Sequence, residues 1–152
     1  MQLSPEGLKL VKLWEGYRER TYLDVAGFPT IGYGHRLLAT ESFPNGIPQA
    51  QANEILARDV HSAEQTVTRL VKVALTQNQF DALVDFVFNL GQGKLAESTL
   101  LKELNSGHYD EAREQLLRWD RAGAQENANL KARRKSEFDL WNSTAAQREK
   151  AA

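Results

Sequence analysis

The chain has 152 residues, 41% hydrophobic and 26% charged, with a formal net charge of -1. That length supports one hydrophobic core and little more, and the near-neutral balance gives no global field toward nucleic acid or an anionic membrane surface. Cysteine is absent, which excludes disulfides and thiolate metal sites.

Met1–Gly7 carries no basic stretch followed by an apolar one, so no secretory signal is expected there. No apolar run approaches the roughly 20 residues that span a bilayer. Ser4-Pro5 predicts a helix start, a hydroxyl cap followed by proline at the first helical position. Leu3, Leu10, Val11 and Trp14 recur at helical spacing, and Gly16 is placed to end that helix near Glu15. Residues 17–35 read as β, with Tyr22, Leu23 and Val25 on one side of a Gly27-Phe28-Pro29 turn and Thr30, Ile31 and Tyr33 on the other. Residues 36–47 read as loop, broken at Phe43-Pro44-Asn45-Gly46.

A long helix is expected from about Pro48 to Val71, with Ala52, Ile55, Leu56, Val60, Ala63, Val67 and Leu70 on its apolar side. Thr76 is placed to cap the next helix, whose Phe80, Leu83, Val84, Val87 and Phe88 mark it as the central core helix. Gly91-Gln92-Gly93 breaks it. Ser98 or Thr99 opens a short helix through Leu104, another runs from Tyr109 to Trp119, and a last one carries Leu130, Phe138, Leu140 and Trp141. The three tryptophans, Trp14, Trp119 and Trp141, read as core, and the tail from Thr144 to Ala152 as a frayed end. The order predicts an α+β fold: a small β-hairpin lobe and a larger helical lobe, joined by a long helix, with a cleft between them. The expected division is one domain over 1–152, with a small lobe at about 15–60, a helical lobe from 1–14 and 61–143, a tail at 144–152, and no added module.

The most informative segment runs from Glu15 to His35. It sets Glu15, Asp24 and Thr30 at fixed spacing across a helix end and a hairpin. Glu15 follows apolar Trp14 at the negative end of a helix, a setting that favours a protonated carboxyl and hence a general acid. Asp24, just before a turn and among polar groups, should stay ionised. Thr30 offers a hydroxyl beside it. Each has an ordinary reading alone: a solvated helix-end Glu, an Asx-turn residue, a β-branched strand former. Together they fit the paired carboxylates of glycosidic bond cleavage.

The segment Glu15-Gly16, Tyr22-Leu23-Asp24 and Gly27-Phe28-Pro29-Thr30-Ile31-Gly32-Tyr33-Gly34-His35 resembles the phage-type lysozymes of glycoside hydrolase family 24. Phe88-Asn89-Leu90-Gly91, Ser98-Thr99-Leu100-Leu101 and Leu104-Asn105-Ser106-Gly107 resemble that family's central motif. Arg118-Trp119, Ala122-Gly123, Leu130 and Arg133-Arg134 resemble its C-terminal one. The resemblance implies a lysozyme-like fold and hydrolysis of the β-1,4 bond between N-acetylmuramic acid and N-acetylglucosamine in peptidoglycan. It assigns Glu15 as general acid, Asp24 as the group assisting water and Thr30 as a group placing it. It also implies a monomer without metal or cofactor, acting on glycan strands, with no nucleic acid and no obligate membrane partner. Synthesis in the host cytoplasm would then require a holin-type membrane lesion before the enzyme reaches the wall in the periplasm. Trp14 departs from relatives that carry a polar residue before the acid.

By the same resemblance, His35 pairs with Asp59 on the long helix and joins the two lobes, while Ser98 and Gln115 line the sugar cleft; Asn89, polar in an otherwise apolar segment, needs a partner and is expected to reach the same cleft. A helix cap for Ser98 and a solvated face for Gln115 are the alternatives. Lys131, Arg133, Arg134 and Lys135 form a basic cluster: a solvated face, a contact with the anionic envelope, or a source of one arginine, 133 or 134, for Glu15. Two other activities fit the same residues in part, lytic transglycosylase action on the same glycan and a non-catalytic peptidoglycan-binding module.

Overall fold

The first helix, α1, spans Pro5–Glu15. The Ser4 hydroxyl accepts the Gly7 N–H at its start, and Gly16, at φ 68°, turns the chain out at its end with its N–H on the Lys12 carbonyl. This computed structural model describes residues 1–144. The expected frayed tail therefore falls outside the described residues, apart from Thr144.

A three-stranded antiparallel sheet follows, β1 (Arg18–Leu23), β2 (Pro29–Gly32) and β3 (His35–Arg36), in the order β1-β2-β3. Two details differ from the sequence reading. A third strand is present, too short to give an alternating pattern. The turn also sits earlier, because Asp24 organises it. The Asp24 carboxylate accepts the Phe28 N–H at 2.8 Å, its own N–H donates to the Phe28 carbonyl, and the Gly27 N–H donates to the Asp24 carbonyl. Pro29 then opens β2 opposite Leu23 rather than sitting in the turn, at a strand start where its missing N–H is tolerated.

The long helix α2 (Gln49–Leu70) packs its first half on β2 and β3 and the rest on later helices, so it joins the lobes. α3 (Gln77–Leu90) opens with a reciprocal capping box between Thr76 and Gln79. Every residue from Phe80 to Val87 is buried, which makes α3 the core helix of the large lobe. α4 (Gln92–Ala96) is a single turn in a stretch the glycines predict only as a break. α5 (Thr99–Asn105) is capped by Ser98, and α6 (Tyr109–Leu116) ends sooner than expected. A small hairpin, β4 (Arg121–Ala122) with β5 (Gln125–Glu126), occupies the region read only as a break. α7 (Ala128–Trp141) closes the lobe against α3 and α6. Of the three tryptophans, Trp141 is buried, while Trp14 and Trp119 are half-buried.

α1 lies tightly on α3 at Gly7. A Cβ there would fall 2.6 Å from Leu3 Cδ1 and 2.7 Å from Asp81 Cγ. Asp81 cannot retreat, because it accepts the Ser4 N–H at 3.1 Å, the Ser4 hydroxyl and the Gln77 side chain at 2.8 Å. Alanine is favoured over glycine in a helix interior by about 1 kcal/mol, yet overpacking costs about 1–3 kcal/mol. Gly7→Ala should therefore lower the melting temperature; a rise on thermal denaturation would show that α1 can slide on α3.

Candidate active site

A cleft of about 810 Å³ lies between the lobes, lined by Glu15, Tyr22, Asp24, Thr30, Gly34, His35, Asp59 and Asn89 among others. The three residues singled out by spacing thus reach one cavity from two different elements. Glu15 comes from the last turn of α1, while Asp24 and Thr30 come from either side of the β1–β2 turn.

Glu15 is mostly buried, with its side chain 19% exposed. Its Oε1 accepts Arg133 Nη1 at 2.9 Å. Its Oε2 faces Gly34, where an added Cβ would approach to 2.5 Å. Gly34 also holds φ 73°, a conformation that strains any residue with a Cβ. Of the two arginines named for Glu15, the one at this distance is Arg133. Arg134 forks onto Glu137 instead, at 2.7 and 2.6 Å.

Asp24 stands in a different setting. Its Oδ1 accepts the Phe28 N–H and its Oδ2 accepts Arg36 Nε at 3.1 Å. The Phe28 hydrogen bond, then the Arg36 charge, hold its carboxyl below the usual value against the opposing pull of desolvation. Thr30 is buried at 2% exposure, and its hydroxyl donates to the Phe28 carbonyl at 2.8 Å. That spends its one hydrogen and leaves the oxygen free to accept. Asn89 lines the same cleft, and its buried Oδ1 has no partner among the described residues.

Ser98 and Gln115 are not among the described residues lining this cleft. Ser98 is the buried cap of α5: its hydroxyl accepts the Leu101 N–H at 3.0 Å and donates to the Leu95 carbonyl at 2.7 Å. Gln115 is half-buried on α6, away from the β lobe. The basic cluster is not one surface face. Arg133 and Arg134 turn inward and are buried, whereas Lys131 pairs with Glu126 and Lys135 with Asp139 in solvent. Trp14, where relatives carry a polar residue, donates its indole N–H to Ser136 on α7 at 3.0 Å, a neutral tie between the same helices.

His35 Nδ1 lies 2.7 Å from Asp59 Oδ2, and Nε2 lies 2.9 Å from Glu41 Oε1. Glu41 was not foreseen, since it lies in a loop with no periodic pattern. Among the described residues, no group of three or more His, Cys, Asp or Glu side chains is placed to hold a metal ion.

The phage lysozyme family profile matches residues 12–137. The chain belongs to the phage lysozyme family. It is 38% identical to an endolysin of Salmonella phage P22 over 138 residues, covering 89% of this chain and 94% of that protein. It is 38% identical to an endolysin of Bacillus phage B103 over 144 residues, covering 93% of this chain and 54% of that protein. It thus spans about half the length of the B103 relative. Among solved structures, the endolysin of Escherichia coli O157:H7 phage FAHEc1 superposes with a TM-score of 0.86 at 34% identity, covering 94% of each chain. The helical lobe with its small antiparallel sheet is the lysozyme-like fold of this family.

For this family member the His35 contacts carry a pH signature. Burial pulls His35 toward the neutral form, but the hydrogen bonds it donates to Glu41 and Asp59 outweigh it, and its pKa is raised. Glu41 is lowered, first by the Leu38 N–H and then by His35. A raised histidine stabilises the fold below its unfolded value, about 6.5, and that contribution is lost as pH rises through the folded value. A lowered glutamate contributes above its unfolded value and is lost as pH falls. His35→Asn should therefore melt lower than the parent near pH 6, with the gap closing toward pH 9. Thermal melts at stepped pH check this, and a gap independent of pH would remove the ion pair from the account.

Proposed function

We propose that this lysozyme-type glycoside hydrolase acts as an endolysin, cleaving the β-1,4 bond between N-acetylmuramic acid and N-acetylglucosamine of bacterial peptidoglycan. Glu15 is the general acid, and Asp24 and Thr30 direct the attacking water. The observation that carries this reading is the convergence of those three side chains, from two lobes, on one cleft. The family and the endolysin relatives support the substrate.

The chemistry follows from which lone pairs are free. Arg133 occupies Glu15 Oε1, so the transferable proton sits on Oε2, which fills the place that a side chain at Gly34 would take. It passes to the glycosidic oxygen as the bond to the anomeric carbon breaks and positive charge develops on the sugar ring. A water between the lobes donates one hydrogen to the ionised Asp24 and the other to the Thr30 oxygen, whose own hydrogen is committed to Phe28. Both water hydrogens are then turned away from the sugar, and an oxygen lone pair faces the anomeric carbon. Asp24 takes the proton that the water loses on bond formation. The unpartnered Asn89 Oδ1 accepts the N–H of an acetamido group, the feature that separates this glycan from cellulose-like chains.

The residues act as one catalytic domain, a monomer needing neither metal nor cofactor. In the host, the enzyme is made in the cytoplasm and reaches the wall through a holin-type lesion. No helix among the described residues is long and apolar enough to cross a membrane.

The test is lysis of chloroform-treated Gram-negative cells. Wild type should clear the suspension, and Glu15→Gln should lose about two orders of magnitude or more in rate with an unchanged circular dichroism spectrum. Mass spectrometry of the released muropeptides should show reducing ends. A 1,6-anhydro product would reassign the protein to transglycosylase chemistry, and lysis by a folded Glu15→Gln protein would make Glu15 dispensable.

A further inference from the structure

Beneath Glu15 lies a buried ionic network that the reaction outlined above does not use directly. Arg133 is 5% exposed and binds Asp85 with a two-point fork, Nε to Oδ2 at 3.0 Å and Nη2 to Oδ1 at 2.8 Å. Asp85, on the core helix α3, has no solvent exposure. The fork leaves Nη1 aimed along one direction, and Glu15 Oε1 stands there at 2.9 Å. A guanidinium is planar, so two bonds to Asp85 set the line of the third. Burial disfavours the Arg133 charge, but Asp85 first and Glu15 second outweigh it and keep the cation firmly protonated.

We propose that Asp85 is a positioning residue for catalysis: by clamping Arg133 from the core helix, it sets both the orientation of Glu15 and the charge that Glu15 faces. This rests on the reading of Glu15 as the general acid. Asp85 offsets the positive charge of Arg133. Without it, an uncompensated guanidinium would favour the ionised form of Glu15, and the proton donor would be lost at lower pH. One other acid faces Asp85 directly: Glu137 hydrogen-bonds its carboxylate and holds its own proton against the Asp85 charge. From α7, Arg134 is forked onto Glu137, and burial followed by the charge of Asp85 pushes the Glu137 carboxyl well above the usual range. From β1, Tyr22 lies near Glu15. Across the cleft, Asp24 is held by Arg36 and His35 by Asp59 and Glu41.

The same helix supplies a matched control. Asp81 sits one turn before Asp85, equally without exposure, but it binds Ser4 and Gln77 rather than Arg133. A purely structural role for Asp85 would make the two substitutions alike. On purified peptidoglycan, Asp85→Asn should lower kcat by roughly ten- to a hundredfold, the scale for a misplaced reacting group, with KM within about twofold. The alkaline limb of its pH–rate profile should move to lower pH. Asp81→Asn should lower the melting temperature and leave kcat and that limb where they are in the parent. Asp85→Glu restores the charge but displaces the fork, so it should return the limb to its parental place while kcat stays reduced.

Superimposable pH profiles and equal rates for folded Asp85→Asn and Asp81→Asn would overturn the proposal. If Asp85→Asn does not fold, Asp85→Glu decides, and a parental kcat in that variant overturns it. A folded Glu15→Gln that still lyses cells removes the parent reading. An inactive Glu15→Gln beside an Asp85→Asn of parental rate and profile removes only this one.

Discussion

A single guanidinium ties together the parts of this molecule that matter for its chemistry. Arg133 is buried on α7, and its donors reach α3 through Asp85 and the end of α1 through Glu15. A buried cation carries a desolvation cost of several kcal/mol, and removing one partner of such a pair costs about 3–5 kcal/mol. The cation is tolerated here because three charge-assisted hydrogen bonds in good geometry meet it. The stability of the network is therefore less telling than its direction. It converts the position of α3, the core helix of the large lobe, into the position of one carboxylate at the edge of a cleft. Glu15 and Arg133 are 118 residues apart in sequence, so the site is complete only when α7 has closed the large lobe.

The opposite wall of the cleft works by different means. Asp24 is held by hydrogen bonds within its own turn and by Arg36 on the neighbouring ribbon, all within 12 residues of sequence. Thr30 is tied to the carbonyl of Phe28, the residue whose N–H binds Asp24. One backbone unit thus orients both groups that would meet the water. The lobe that would supply the proton is organised by long-range packing, and the lobe that would handle the water by a local turn. That asymmetry keeps the two carboxyls in different environments, which acid and base roles in one reaction demand.

The same asymmetry explains what the sequence made legible. Glu15, Asp24 and Thr30 were readable because local rules govern each: a glycine after a helix, an Asx-type turn, a strand start. The helix starts at Ser4, Thr76 and Ser98 were readable for the same reason. The elements that escaped, α4, β3 and the β4–β5 hairpin, are each five residues or fewer per element, too short to establish a period. Arg133 could not be separated from Arg134, because adjacent helical residues both point inward here and their partners lie far away in sequence. The sequence allows Ser98 as a cleft residue or as a cap, and the packing of α5 turns its hydroxyl into the helix start. Glu41 had no local pattern at all. Asp85 carries a signal of its own: two aspartates at i and i+4 in the otherwise apolar stretch Phe80–Phe88 need buried partners.

Those two aspartates bear on how Glu15 is held still. α1 is 11 residues long, about 16 Å at 1.5 Å per residue, whereas a four-residue step along α3 covers only about 6 Å. Asp81 can reach the N-terminal end of α1 directly, and it does so at Ser4. Asp85 is left with a gap to Glu15, since direct contact between two carboxylates would be repulsive. Arg133 fills that gap with the correct sign and length. The core helix therefore pins both ends of α1, one by direct hydrogen bonds and the other through an intervening cation. Gly7, between the pinned ends, lets the two helices lie close enough for both attachments to hold at once. A helix held only at its Ser4 end could swing its last turn by an ångström or more, a displacement that costs about a hundredfold when it moves a reacting group. The Arg133 attachment stops that swing and presents Glu15 to the cleft as a fixed part of the large lobe.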